Sequence, residues 1–131
     1  MSVPDAVVDR VAGQPYSAFL ATAVDDRPHV APVWYLYDDG HVYFFTQGRK
    51  LANVRRNPRV ALAIEGEGSA WLALLRGTAT VREDSDRRLD VADRLFAQYL
   101  DDGGAAYRDE EGDPQGALVD VELGSATLRE N

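Results

Sequence analysis

The sequence predicts a mainly β protein: six short strands rolled into a small antiparallel barrel, with a few helices between them. Three observations point there. Runs rich in valine, threonine and aromatic residues recur at short spacing. Turn-forming clusters separate them, "DDRP" at 25–28 and "DDG" at 38–40. One long stretch, 70–83, keeps its apolar residues at every second position. The chain has 131 residues, 45% of them hydrophobic, enough to fill the core of a single domain over 1–131.

The elements follow in order. Ser2 and Asp5 have capping-box spacing before Val7, Val8 and Val11, which predicts a short first helix. "SAFLATAV" (17–24) reads as the first strand. "HVAPVWYLY" (29–37) reads as a second, with Pro32 demanding an edge or a bulge because proline has no N–H for a ladder. Backbone groups left unpaired there need partners: a loop, a second chain, or the polar rim of a planar heterocycle. "HVYFFT" (41–46) returns as the third strand.

"RKLANVRRN" (49–57) predicts a helix in which Leu51 and Val54 share one face, ended by Asn57-Pro58. "RVALAIE" (59–65) is the fourth strand. In the fifth, 70–83, Trp71, Ala73, Leu75, Gly77, Ala79 and Val81 face inward, and Gly77 marks a bulge or a close approach. In "DSDRRLDVADRLFAQYL" (84–100), Leu89, Ala92, Leu95, Phe96, Tyr99 and Leu100 form the apolar stripe of a helix. Residues 101–116, with six acids and four glycines, read as a solvated loop. The last strand is 117–123, with Asp120 and Glu122 facing outward.

Two strands, 29–37 and 41–46, are apolar on both faces. A lone small barrel shows a polar outer face, so a second copy of the chain is the expected cover.

Net charge is −8, from 22 acidic and 14 basic residues. Such a balance repels nucleic acid and anionic membranes. No apolar run approaches the ~20 residues of a membrane helix. The start shows no basic region followed by an apolar stretch, so a cytoplasmic location is expected. The chain has no cysteine, its two histidines lack metal-ligand spacing, and no serine sits in a GxSxG context.

Against this acidic background, residues 46–60, "TQGRKLANVRRNPRV", hold five basic side chains and no acid, including the chain's one lysine. Thr46 ends a strand, Gly48 permits a tight turn, and Arg49 and Lys50 open a helix. A helix start offers free N–H groups and partial positive charge, so the pattern predicts an anion site. Arg56 and Arg59 are read as surface charge.

The stretch "RPHVAPVWYLYDDGHVYFFTQGRKLANVRRNPRVALAI" (27–64) resembles the pyridoxamine 5′-phosphate oxidase-like family of flavin-binding split β-barrels, and is similar to the deazaflavin (F-420)-dependent reductases within it. The resemblance implies a six-stranded antiparallel split barrel of Greek-key, FMN-binding type, forming a homodimer with cofactor at the interface. Val33, Trp34 and Tyr35 would then lie along the isoalloxazine ring, with Phe45 and Thr46 completing the ring and ribityl contacts. Arg49 and Lys50 would hold the phosphate. Arg55 would serve the acidic tail of a deazaflavin, and Trp71 would approach from the second subunit.

The implied function is an FMN-dependent oxidoreductase acting by hydride transfer on a small molecule. The alternatives are a coenzyme F-420-dependent reductase, or a protein that binds flavin or haem without turnover. The arginine- and tryptophan-bearing segment by which the true oxidases grip pyridoxamine phosphate has no counterpart before Asn131, so vitamin B6 oxidation is not expected.

Overall fold

The computed structural model describes residues 3–130, and its strands number seven, not six. In chain order the elements are α1 (Asp5–Val11), β1 (Ser17–Val24), β2 (Arg27–Trp34), β3 (Leu36–Asp38), β4 (His41–Thr46), α2 (Gly48–Arg56), β5 (Arg59–Glu65), β6 (Trp71–Arg82), α3 (Ser85–Tyr99) and β7 (Ala117–Glu130). Short 3₁₀ turns lie at Glu67–Ser69 and Ala105–Tyr107. Ser2 of the expected capping box lies outside the described residues; α1 begins after Pro4 with no side-chain cap.

All seven strands form one antiparallel sheet in the order β2-β1-β5-β6-β7-β4-β3. The extra strand arises because the expected second strand breaks at Tyr35, which belongs to neither β2 nor β3. Those two strands sit at opposite ends of the sheet, joined by one residue. A single residue spans under about 4 Å, so the sheet must curl until its two edges meet at Tyr35. The result is a curled antiparallel half-barrel. β2 has only β1 as a ladder partner, which is the edge position Pro32 requires.

The concave side carries the main core. Ala18, Leu20, Val42, Phe44, Leu62, Ile64, Ala73, Leu75, Val119 and Val121 are all 2% exposed or less. α1 plugs it with Val7 and Val11, and α2 with Val54.

α3 covers the convex side of β4 and β7. Its Val91, Ala92, Leu95 and Phe96 pack with Leu36, Tyr43 and Leu118 as a second core. This changes the reason for expecting a partner over 41–46: α3 of the same chain supplies that cover. It also shifts the stripe of α3, since Leu89 is 40% exposed whereas Val91 is buried. Asp84 caps α3 by accepting from the Asp86 N–H at 3.1 Å.

β7 runs to Glu130, well beyond the expected 123, by pairing with β6 along its whole length. Gly77 meets both expectations. The register shifts between Arg76 and Gly77, and a Cβ there would lie 2.2 Å from the Glu122 carbonyl oxygen.

Asp120, expected outside, is 2% exposed. Its carboxylate accepts from Arg82 Nε at 3.1 Å and lies 2.7 Å from His41 Nδ1, so both its oxygens have a partner on the sheet's outer face. Tyr43, beside this cluster, has its hydroxyl pKa raised by burial and by Asp120, against the opposing Arg87.

The 101–116 segment is built rather than merely solvated. Arg88 donates to Asp113 and to the Pro114 and Gly116 carbonyls. Arg108 donates to Asp93 and to the Gly103 and Gly112 carbonyls, with its guanidinium 5.1 Å from the Phe96 ring centre. These two arginines spread over loop carbonyls that would otherwise lack partners.

Among the described residues, no helix is long and apolar enough to cross a membrane.

Candidate functional site

Where the sheet edges meet, a cavity of about 420 Å³ opens between β2, the end of β4, the start of α2, the middle of α3 and the 101–116 loop. A volume of this order suits a small molecule. β2 contributes Pro32, Val33 and Trp34; β4 contributes Phe45 and Thr46; α2 contributes Lys50. Leu95 and Phe96 of α3 and Tyr107 of the loop complete the apolar wall.

Each wall is held by something behind it. Trp34 stacks on Tyr99, ring centres 4.7 Å apart and planes 11° from parallel, and meets Tyr107 edge-on at 5.5 Å. Phe45 has the Arg88 guanidinium 5.7 Å from its ring centre. Val33 buries its side chain in the core, at 7% exposure, as period-two alternation requires. Gly116 brings the loop against β4: a Cβ there would lie 2.9 Å from the Thr46 carbonyl oxygen.

Thr46 is 4% exposed, and its Oγ1 is buried without a hydrogen-bond partner. Buried hydroxyls are nearly always bonded, so this one is an exception at the cavity's edge. Lys50 lines the same cavity, the one cationic side chain among the described residues to do so. Aromatic walls and one ammonium together suit a planar ring carrying an anionic group. Among the described residues, the proton-bearing side chains that line this space are Lys50 and Tyr107, with the hydroxyl- and amide-bearing Ser17, Thr46, Gln47 and Gln115, and no aspartate, glutamate or histidine. Among the described residues, neither His29 nor His41 lines it.

The predicted site residues divide. Val33, Trp34, Phe45, Thr46 and Lys50 converge on the cavity. Tyr35 turns inward to full burial and donates its hydroxyl to the Val11 carbonyl at 2.6 Å. Its phenol is held well above the ordinary tyrosine range, chiefly by burial, with Tyr99 and Tyr16 adding to it. Its backbone is also engaged: the N–H donates to Tyr99 Oη at 3.1 Å, and the carbonyl accepts from Gln98 Nε2 at 3.1 Å. The unpaired groups of the broken strand are thus met by α3.

Arg49 lines a second groove, on the other side of α2, with Arg27 and His29. Arg55 lines a third, beside Arg82 and Glu83. Trp71 is 8% exposed and packs edge-on against Tyr16, ring centres 5.5 Å apart, away from the cavity.

Ser17, Leu95, Phe96, Tyr107 and Gln115 were not foreseen as lining residues. A signal existed for one of them: Tyr107 is the lone aromatic in a glycine-rich acidic stretch, a poor place for a large ring unless something receives it.

Fold and cavity define a class: a curled antiparallel half-barrel with an aromatic-walled, cation-bearing pocket where its edges meet. The pyridoxamine 5′-phosphate oxidase family model matches residues 3–128, so the chain belongs to that family. No curated protein matches it significantly.

Solved structures resemble it throughout their length. A candidate pyridoxamine 5′-phosphate oxidase from Listeria innocua is 18% identical, with a TM-score of 0.73 and 97% of this chain and 98% of that one covered. An FAD-binding protein from Mesorhizobium loti is 21% identical, with a TM-score of 0.71 and 100% and 97% covered. A structure described as an F420 reductase is 22% identical, with a TM-score of 0.70 and 95% and 98% covered. At these identities the likeness establishes the fold.

Proposed function

We propose that this chain is a flavin-dependent oxidoreductase that binds FMN in the cavity at Trp34, Thr46 and Lys50. The observation that carries the reading is the cavity where the sheet edges meet, walled by Trp34, Phe45 and Phe96, with Lys50 at its rim. When bound, the flavin supplies hydride or electron transfer to a small substrate. The protein's part is to hold and shield it. Trp34, Phe45 and Phe96 offer apolar faces to the ring. Lys50 pairs with the phosphate; a charge-assisted hydrogen bond of this kind contributes about 1.5–3 kcal/mol. Tyr107 and the pinned loop keep water from one side.

Family membership and the flavin- and F420-named structural neighbours support this reading at the level of cofactor type. A deazaflavin is the second candidate, favoured by Arg55, whose groove shares Gln47 and Gly116 with the cavity.

A second copy of the chain belongs to the proposal. Phe19, Val30 and Leu74 are 46%, 66% and 36% exposed. The registers Phe19↔Pro32, Ala21↔Val30, Phe19↔Ala63 and Ala63↔Leu74 put them on one face of the sheet. That face is left bare by α3, and apolar faces of this kind mark association sites.

Titration of the purified protein with FMN, and separately with the deazaflavin, tests the cofactor. The reading expects saturable spectral change with Kd in the micromolar range or below, and oxidation of NAD(P)H or of reduced deazaflavin by the loaded protein. Binding without turnover of any donor supports a storage or sensing role instead. Failure of both cofactors to bind overturns the proposal.

A further inference from the structure

The connection from α3 to β7 brings Tyr107, Gln115 and Gly116 to the cavity. The other lining residues belong to strands and helices, with Gln47 at the cap of α2. This connection is therefore the one wall of the cavity that the sheet and helices do not build.

It folds on itself. The Asp109 N–H donates to the Asp113 carbonyl and the Gln115 N–H to the Tyr107 carbonyl, both at 2.9 Å. Asp109 Oδ1 accepts from the Glu111 and Asp113 N–H groups, also at 2.9 Å. Among the described residues, every backbone-to-backbone hydrogen bond of 103–115 stays within it. Side chains hold it to α3. Arg88 forks to the Asp113 carboxylate and to the Pro114 and Gly116 carbonyls. Arg108 donates to Asp93, and the Tyr107 ring stacks on Phe96 with centres 5.8 Å apart.

These attachments are of a kind that lets go. The side chains of Asp93 and Asp113 are 70% and 48% exposed, so water screens both ion pairs. Pro114 alone of 105–115 is buried, which leaves the segment without a core of its own. Regions with so little buried apolar surface open well before a packed sheet does. Both ends carry glycine in the left-handed region: Gly103 and Gly104 at φ 74° and 76°, Gly116 at 86°. Glycine crosses between backbone regions at little cost, which suits a hinge.

We propose that 105–115 is a lid that swings off α3 as one body about Gly103-Gly104 and Gly116, with Arg88 as its latch. Closed, Tyr107 lies against Phe96 and Trp34 and shuts that side of the cavity. Open, Tyr107 leaves Trp34 while the internal bonds of the lid stay made. Arg88 is a positioning residue, and its guanidinium also stands 5.7 Å from the Phe45 ring centre, so the latch touches lid and cavity wall alike. The motion belongs to the cofactor-free chain; its use, admitting and retaining a ligand, rests on the flavin reading.

The chain's two tryptophans make the test direct, because Trp34 meets Tyr107 whereas Trp71 packs on Tyr16 away from the cavity. Lids open on the μs–ms scale, which nitrogen relaxation dispersion reads by NMR. In the cofactor-free protein the Trp34 indole N–H and the amides of 103–116 should share one exchange rate, with the Trp71 indole flat. R88A should raise the open population about fivefold or more, and D113N, which keeps the shape and removes the charge, about twofold or more. FMN should then associate about threefold faster or more with R88A, since more of the chain stands open. A flat Trp34 indole, a Trp34 rate unlike that of 103–116, or an open population unchanged in both variants overturns the proposal. So does FMN that binds R88A and wild type at one rate. If FMN does not bind at all, the flavin reading falls, and the dispersion of the cofactor-free chain still decides the lid.

Discussion

The Tyr35 amide donates to the Tyr99 hydroxyl at 3.1 Å, and that hydroxyl donates on to the Tyr16 carbonyl at 2.6 Å. One side chain on α3 thus ties the only residue joining the two edges of the sheet to the entry of β1. The ring of Tyr99 meanwhile backs Trp34 in the cavity wall. Closure of the fold and shape of the site share a residue.

Tyr99→Phe keeps the ring and removes these hydrogen bonds together with the longer contact to the Tyr35 carbonyl at 3.3 Å. It leaves the Tyr35 N–H and the Tyr16 carbonyl short of a partner, which costs about 1–3 kcal/mol. The urea midpoint should fall with an unchanged slope, since the surface exposed on unfolding is the same. An unchanged midpoint would mean that water replaces the hydroxyl.

Burial pushes the Tyr99 phenol from 10.0 up to about 12, despite its hydrogen bond to Tyr35, which works the other way. Below the unfolded value both states keep the proton and the tyrosine adds no pH dependence. Between 10.0 and about 12 the unfolded chain gives up the proton while the folded protein retains it, so stability falls as pH rises through that window. Tyr35, raised further still, acts in the same direction. Urea midpoints measured at about pH 8 and about pH 11 should show a drop that is smaller in Tyr99→Phe.

Gly77→Ala should destabilise by about 2–3 kcal/mol, because the added carbon meets a backbone oxygen that the β6–β7 ladder holds in place. A Cβ at Gly124, across the same bulge, would lie an ordinary 3.9 Å from the Arg76 carbonyl oxygen, so Gly124→Ala should stay within about 0.5 kcal/mol. Thermal melts of the two variants side by side give the contrast. Equal effects would place the bulge elsewhere.

The bare sheet face is tested by mass. Sedimentation equilibrium should give twice the 14.4 kDa chain mass for the wild type. Phe19→Asp with Val30→Asp should give the monomer, because each places a charge where an apolar contact is proposed. A monomeric wild type would remove the second copy from the account.

Much of this was legible in the sequence, and the failures share a cause. Period two along 71–81 gave the inward face of β6, and Asn57-Pro58 gave the end of α2. The break at Tyr35 was hidden because "HVAPVWYLY" keeps strand-forming residues throughout; only the curl of the whole sheet interrupts it. Asp120 looked like an outward residue because alternation reports the face, not what covers that face. Here Arg82 and His41 cover it. The 101–116 loop read as solvated from its acids, yet Arg88 on α3 and Arg108 within the loop hold it in place across distances a local pattern does not register. The site was half visible for the same reason. β2, β4 and the start of α2 are contiguous in sequence, whereas the α3 and loop walls arrive through tertiary packing. Arg49 and Lys50, adjacent in the chain, part company because neighbouring helical residues point about 100° apart.

That divergence gives the most direct test of the account. Dissociation constants for FMN and for riboflavin, which lacks the phosphate, are measured in the wild type, in Lys50→Ala and in Arg49→Ala. The account predicts that Lys50→Ala weakens FMN about tenfold or more and spares riboflavin, and that Arg49→Ala changes both little. Equal loss of both flavins in Lys50→Ala, or a selective loss of FMN in Arg49→Ala alone, would contradict it.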